Sequence, residues 1–130
     1  MNYWVLKTEP STYSYERLIK DKKVIWDGIR NYQARNFLRN FNIGDLAVIY
    51  HSGDLKAAVG IAKVTKGPFT EIDDWVAVEI APERPLKNPV PLAKLKSDKI
   101  LKSILLVRHS RISVSPLTQT EFEQLIELSK

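Results

Sequence analysis

Three strand-like runs in the middle of the chain, residues 46–50, 57–64 and 75–80, follow one another with turn-forming residues and no helical pattern between them. A parallel pair needs a crossover of a dozen or more residues, usually a helix, so strands joined in this way pair antiparallel. That order excludes the regular strand–helix alternation of a doubly wound fold. In the third run Val76, Val78 and Ile80 alternate with Trp75, Ala77 and Glu79, the period of a half-buried strand. Tyr3 to Lys7 supplies a first strand, and residues 104–107 and 112–114 read as two further strand-like segments. The stretch from Pro82 to Pro91 reads as a rigid connection.

Helices fit around this sheet. Ser14 can cap a short helix running through Lys20, with Glu16 in its first turn favoured by the helix dipole. Asn31 can cap a second helix, expected to end near Asn42 and Gly44, whose buried stripe is Ala34, Phe37, Leu38 and Phe41. Pro91 to Lys96 suits a helical turn. Thr118 with Glu121 makes a capping box, and Phe122, Leu125 and Ile126 give the closing helix its apolar face. The expected class is α+β: a mostly antiparallel sheet or small barrel with helices at its edges.

At 130 residues the chain has the size of one domain, expected to span 1–130, and buries about two-thirds of its unfolded surface without covalent staples. It has no cysteine, which removes disulfides, thiol nucleophiles, zinc–thiolate sites and the zinc chemistry of nucleobase deaminases. Only His51 and His109 are present, and no phosphate-binding P-loop or dinucleotide glycine fingerprint occurs. His51, Ser52 and Asp54 are close in sequence, but no nucleophile elbow surrounds the serine. No metal, no cofactor and no catalysis are expected. No apolar run is long enough for a signal peptide or a membrane span, which sets a cytoplasmic expectation without a membrane partner.

The formal net charge is +5, unevenly distributed. Arg17 to Arg39 holds seven basic and two acidic residues, and Arg84 to Arg111 holds eight basic residues against Asp98 alone. The intervening stretch is acidic. Two such blocks suit a polyanion if they fold onto one face, and decorate solvated surfaces if they do not.

The densest candidate is Trp26-Asp27-Gly28-Ile29-Arg30-Asn31-Tyr32-Gln33-Ala34-Arg35. With the second helix beginning after Asn31, Tyr32, Arg35, Asn36 and Arg39 share a face away from the apolar stripe. An aromatic ring beside guanidiniums suits phosphates and exposed bases; core tyrosine and solvated arginines suit the same spacing. Trp26 reads equally as a core residue or as one wall of a pocket for a flat ligand. Asn31 is a helix cap whose amide is also able to read a base edge.

These residues carry a resemblance. Tyr3-Trp4 with Lys7-Thr8-Glu9-Pro10-Ser11, the Trp26–Arg35 segment, Gly44-Asp45, Tyr50-His51-Ser52, Val59-Gly60-Ile61-Ala62 and Arg108-His109-Ser110-Arg111-Ile112-Ser113-Val114 together resemble the EVE domain family. The resemblance implies a PUA-like fold, a small, partly open β-barrel flanked by helices, related to the YTH readers of methylated adenine. It implies a nucleic-acid-binding module that recognises a modified base in DNA or RNA in an aromatic-lined pocket. Carried over by motif, Trp26, Asn31, Tyr32 and Ser52 would line that pocket, and Lys7, Ser11, Arg30, Arg35 and Arg111 would form its polar rim or touch phosphate.

The energetics suit a reader of moderate selectivity. Unstacking a base costs a few kcal/mol, stacking on an aromatic ring returns about 1–3 kcal/mol, and a methyl in a fitted pocket is worth about 1–3 kcal/mol. Gly60 and Ala62 either keep space open near a ligand or allow close backbone packing. Two other readings are an enzyme acting on nucleic acid through His51 with Asp27 or Asp54, and a protein-interaction adaptor using the acidic stretch from Glu71 to Asp74.

Overall fold

A computed structural model describes residues 1–109 and 111–130; Ser110 of the Arg108–Arg111 motif lies outside the described residues. The described elements run β1 (Tyr3–Thr8), α1 (Tyr15–Asp21), β2 (Val24–Trp26), α2 (Tyr32–Leu38), β3 (Leu46–His51), β4 (Ala57–Thr70), a short 3-10 turn (Ile72–Asp74), β5 (Val76–Pro91), α3 (Leu92–Ser97), α4 (Leu105–Arg108), β6 (Val114–Leu117) and α5 (Gln119–Leu128). The six strands form one mixed sheet in the order β2-β5-β4-β3-β1-β6. Its strand pairs are antiparallel except β1 with β3, where Tyr3 to Thr8 run beside Leu46 to His51 in the same direction. The class is α+β as expected, with an open sheet.

The helices cover both faces of this sheet and not merely its edges. Trp4 and Leu6 enter a core shared with α1 and α2, while Val5 enters a second core shared with α3, α4 and α5. A strand buried on both faces reads as a continuous apolar run, as Tyr3 to Leu6 does. The same double burial corrects the half-buried reading of Val76 to Ile80, because Ala77 and Glu79 are buried along with the valines.

Four further expectations are corrected. β5 continues through the proline-rich stretch: β2 pairs only with Val78–Ile80, so beyond Ile80 that edge of β5 is open. Prolines are tolerated on such an edge and at bulges, and β4 and β5 slip register four times along their length. The second helix stops at Leu38 because Asn40 and Phe41 donate to Phe37 and Leu38 in tight turns. Phe41 still reaches the core and stacks on Trp4, with ring centroids 4.4 Å apart. Residues 105–108 form a helical turn and not a strand, since a four-residue apolar run carries no period of its own. The last strand begins at Val114, two residues later than expected, where it meets Leu6.

Two polar contacts fix how these layers meet. Asp45, buried after α2, accepts from the backbone N–H of Asn2 (3.0 Å), the backbone N–H of Asn42 (2.9 Å) and the Trp4 indole (2.9 Å). It thereby ties the start of β1 to the turn before β3. Tyr15 opens α1, capped by Ser14, and its ring lies on Gly60 of β4 while its hydroxyl donates to the Ile61 carbonyl at 2.8 Å. A Cβ at Gly60 would stand 2.5 Å from the Tyr15 ring, so here glycine is required for close approach and not for space beside a ligand. The Gly60→Ala variant is expected to lose about 1–3 kcal/mol of stability through overpacking. Urea denaturation measures it; an unchanged midpoint would contradict the contact.

Candidate functional site

β1 and β3 end side by side, with the Ser52 N–H donating to the Thr8 carbonyl at 2.9 Å. Beyond this end the loop 9–14 leads into α1. Thr12 and Tyr13 both donate their N–H groups to the Glu9 carbonyl, and the Thr8 hydroxyl donates to the Tyr13 carbonyl at 2.9 Å. The loop is thus held as a compact turn against the strand end. Opposite it, β2 leads into the Asp27–Gly28 turn, where Gly28 takes a positive φ of 75°.

Between these two segments lies a cavity of about 320 Å³ lined by Lys7, Thr8, Thr12, Tyr13, Val24, Ile25, Trp26, Asp27 and Ile29. Trp26 and Tyr13 meet edge to face, with centroids 5.9 Å apart and planes at 85°. Trp26 is only 9% exposed, so it belongs to the core and to the cavity wall at once. Tyr13 is held by its hydroxyl, which donates to Asp21 at 2.8 Å, and by the Arg17 guanidinium 5.4 Å from its ring. Burial, aided by the Asp21 hydrogen bond, pushes the Tyr13 phenol up to about 12, so it remains a neutral donor. The charged groups at the cavity are Lys7 and Asp27. Burial pulls the Lys7 ammonium below its ordinary pKa.

The structure divides the residues expected to act together. Trp26 and Lys7 line this cavity. Lys7 also lines a second one, of about 460 Å³, with Tyr50, Ser52, Gly53, Lys56, Leu92, Lys96, Leu106 and Val107. Ser52 therefore lines a different cavity from Trp26, and the two cavities share Lys7. Asn31 caps α2, accepting from the Ala34 N–H at 2.9 Å. Tyr32 is 66% exposed and stacks on Trp75, ring centroids 5.2 Å apart. Arg35 lies over both rings at 4.8 and 5.1 Å, and Arg30 over Trp75 at 5.3 Å. Ser11 and Arg111 are exposed, on the loop before α1 and after α4 respectively.

The two basic blocks are not equally available. Arg30 lies 3.7 Å from Glu71 and Arg39 lies 3.8 Å from Asp74, so the acidic hairpin tip pairs two of the seven cations of the first block. The residues that sequence reasoning did not single out are Thr8, Thr12 and Tyr13 in the first cavity, Trp75 beneath Tyr32, and Lys56 and Lys96 in the second cavity. The signal available for Tyr13 was a Thr-Tyr pair just before the Ser14 helix cap, and it went unused. Trp75 had none, because its partner is distant in sequence.

His51 has a structural task. It is buried, and its Nε2 accepts the Tyr15 N–H at 3.1 Å, which puts the ring proton on Nδ1. Among the described residues no three His, Asp or Glu side chains gather as a metal site requires, and no helix is long and apolar enough to cross a membrane.

A family model described as the EVE domain matches residues 2–128. The chain belongs to the EVE domain family. This EVE domain is 34% identical to thymocyte nuclear protein 1 of Mus musculus and 32% identical to that of Homo sapiens, each match covering 99% of the chain and 74% of the relative. A crystal structure of a protein from Agrobacterium tumefaciens superposes with a TM-score of 0.94 at 32% identity, covering 99% of this chain and 93% of the other. A crystal structure of human THYN1 protein in complex with 5-methylcytosine containing DNA superposes with a TM-score of 0.89 at 31% identity, covering 100% and 98%. The ASCH structure from Zymomonas mobilis, 16% identical with a TM-score of 0.65, shares the fold, and the EVE domain has the PUA-like architecture expected of it. The cytoplasmic expectation is corrected by these relatives, which are named as nuclear proteins. The length of the apolar runs carries no information about compartments inside a cell.

Burial holds His51 below its ordinary pKa of 6.5, against the weaker opposing pull of Glu16 and Glu9. The unfolded chain then takes up a proton near pH 6.5 that the folded chain refuses until lower pH. The stability this contributes is complete above pH 6.5 and is lost as the pH falls from there through the folded pKa. The melting temperature is therefore expected to drop between pH 7.5 and 5.5, and His51→Gln, which keeps an acceptor for Tyr15, to drop less. Equal slopes in the two proteins would contradict it.

Proposed function

We propose that this EVE domain is a non-enzymatic nucleic-acid-binding module that recognises a modified base in DNA or RNA, taken into the cavity between Tyr13 and Trp26. The observation that carries this reading is the human THYN1 protein in complex with 5-methylcytosine containing DNA, which superposes along the whole chain. The cavity's chemistry supports it. Trp26 and Tyr13 offer aromatic surface of the kind on which bases stack, and Val24, Ile25 and Ile29 give an apolar rim suited to an added methyl.

Lys7 and Asp27 supply one donor and one acceptor at the cavity. A cytosine edge presents the complement, since its exocyclic amine donates to a carboxylate and its ring carbonyl accepts from an ammonium. In this reading Trp26 is the stacking wall, Lys7 and Asp27 read the edge, and Asn31 acts by holding the start of α2. Tyr32, Arg30 and Arg35 form an outer surface for a flanking nucleotide, with Ser11 and Arg111 at the periphery. Ser52 belongs to the neighbouring cavity.

Discrimination in favour of the modified base is expected to be about 10–200-fold, the worth of one methyl in a fitted pocket. Tryptophan fluorescence titrated with oligonucleotides that differ only in the modification measures it, in DNA and RNA forms. Trp26→Phe, which preserves an aromatic core residue, should cut that ratio at least about threefold, with circular dichroism confirming the fold. Equal affinity for every oligonucleotide tried, unaffected by the substitution, would contradict the reading.

A further inference from the structure

Tyr32 and Arg35 lie on α2, Arg39 is its C-cap, and Arg30 stands two residues ahead of the helix. An exposed ring among three guanidiniums suits a nucleic-acid strand of any sequence. In the fold this surface is covered by the tip of the β4–β5 hairpin. Trp75 stacks on Tyr32 with centroids 5.2 Å apart, and the Arg39 guanidinium donates to the Asp74 carbonyl at 3.3 Å. These contacts bring the Glu71 carboxylate to 3.7 Å from Arg30 and the Asp74 carboxylate to 3.8 Å from Arg39. Arg35 lies against both rings, at 4.8 and 5.1 Å. Each of the three cations thus has a partner from the chain itself.

Stability does not account for the two carboxylates. Ion pairs as exposed as these contribute little to folding. The shape of the tip does not need them either. Asp73 and Asp74 take positive φ values of 59° and 67°, a conformation that asparagine adopts as readily and glycine more so. What the carboxylates do is occupy arginines. A phosphate arriving at α2 would have to displace Glu71 and Asp74 or lie beside them.

We infer that Glu71 and Asp74 are specificity-determining residues: they stand where phosphates would bind on Arg30 and Arg39, and so keep a strand from being held at α2 with no base in the Trp26 cavity. The inference rests on the nucleic-acid reading above and adds what guards its selectivity. A phosphate is the same next to every base, so α2 would hold a strand in every register, modified or not. The affinity of an oligonucleotide sums that mode and the base-specific one. Weakening the first raises the ratio between a modified strand and its plain twin without any change in the cavity. Tyr32 keeps an exposed face for a flanking base, while its neighbouring arginines are withheld from phosphate.

The test is fluorescence anisotropy with a labelled DNA oligonucleotide carrying one 5-methylcytosine and with its unmethylated twin, titrated at several salt concentrations. The E71Q/D74N variant should tighten the unmethylated probe at least about threefold and the methylated one by less. Its slope of log K against log salt should steepen by about 1–2, as two freed arginines require. The charge-matched D73N/E83Q variant alters two exposed acids that pair with no cation among the described residues, and should keep the natural slope. R39Q gives an independent reading: it should hardly change the slope of the natural protein and should take back about half of the gain in E71Q/D74N. Unchanged binding in E71Q/D74N, an equal change in D73N/E83Q, or an equal effect of R39Q in both backgrounds overturns the guard while the base reading stands. Failure of the natural protein to bind either probe, or to distinguish them, overturns the base reading, and the guard with it.

Discussion

Tyr15 reaches from the first turn of α1 across the sheet to lie on Gly60, donates a hydrogen bond from its hydroxyl to the Ile61 carbonyl, and donates its backbone N–H to His51. These contacts join α1, β3 and β4 at one point, and they sit two residues after Tyr13. The loop that carries Thr12 and Tyr13 therefore has a rigid end at Tyr15 and another at Thr8, where the β1 hydroxyl holds it. A wall of a binding cavity is useful only if its position survives without ligand, since ordering a loop on binding subtracts from affinity. Here the wall is set by the core, and Trp26, itself a core residue, stands opposite on β2.

The molecule contains two aromatic groupings with different characters. Tyr13 and Trp26 meet edge to face at an open cleft, with two opposite charges in its lining. Tyr32 and Trp75 stack flat on each other at the surface, braced by Arg30 and Arg35 and flanked by the acids of the β4–β5 tip. The first arrangement can isolate one ring from solvent and compare it with its neighbours in shape. The second offers only an outer face, on which any planar group would stack about equally well. In the proposed reading selectivity belongs to the first, and the acidic tip limits what the second can add through charge.

Much of this was legible in the order of residues, and the rest was hidden for physical reasons. Caps read well: Ser14, Asn31 and Thr118 each accept the backbone N–H that their spacing demanded. The strands read well where turns bounded them. Pro82 to Pro91 misled because proline argues against a central strand, and nothing in the sequence reveals that β2 is short and leaves that edge open. Ile104 to Val107 misled because four apolar residues suit a strand or a helical turn equally. Of the residues expected at a site, Trp26 and Lys7 line the first cavity, and the Trp26–Arg35 segment and the first strand are what drew attention to them. The placement of Tyr32 on Trp75 rather than beside Trp26 depends on a contact 43 residues distant, which no local pattern encodes. The lysines at positions 56 and 96 were lost among other surface lysines, because what distinguishes them is the fold that gathers them.

In the proposed reading a modified base enters the cavity at Trp26 and does not merely lie on the Tyr32–Trp75 surface. The chain has three tryptophans, and each indole N–H gives its own signal in a nitrogen–proton correlation spectrum. Titration with a 5-methylcytosine-containing DNA oligonucleotide should shift the Trp26 indole strongly, and more than the unmethylated twin does. The Trp4 indole, locked on Asp45, should stay in place. A spectrum in which Trp75 moves while Trp26 remains still would contradict the account.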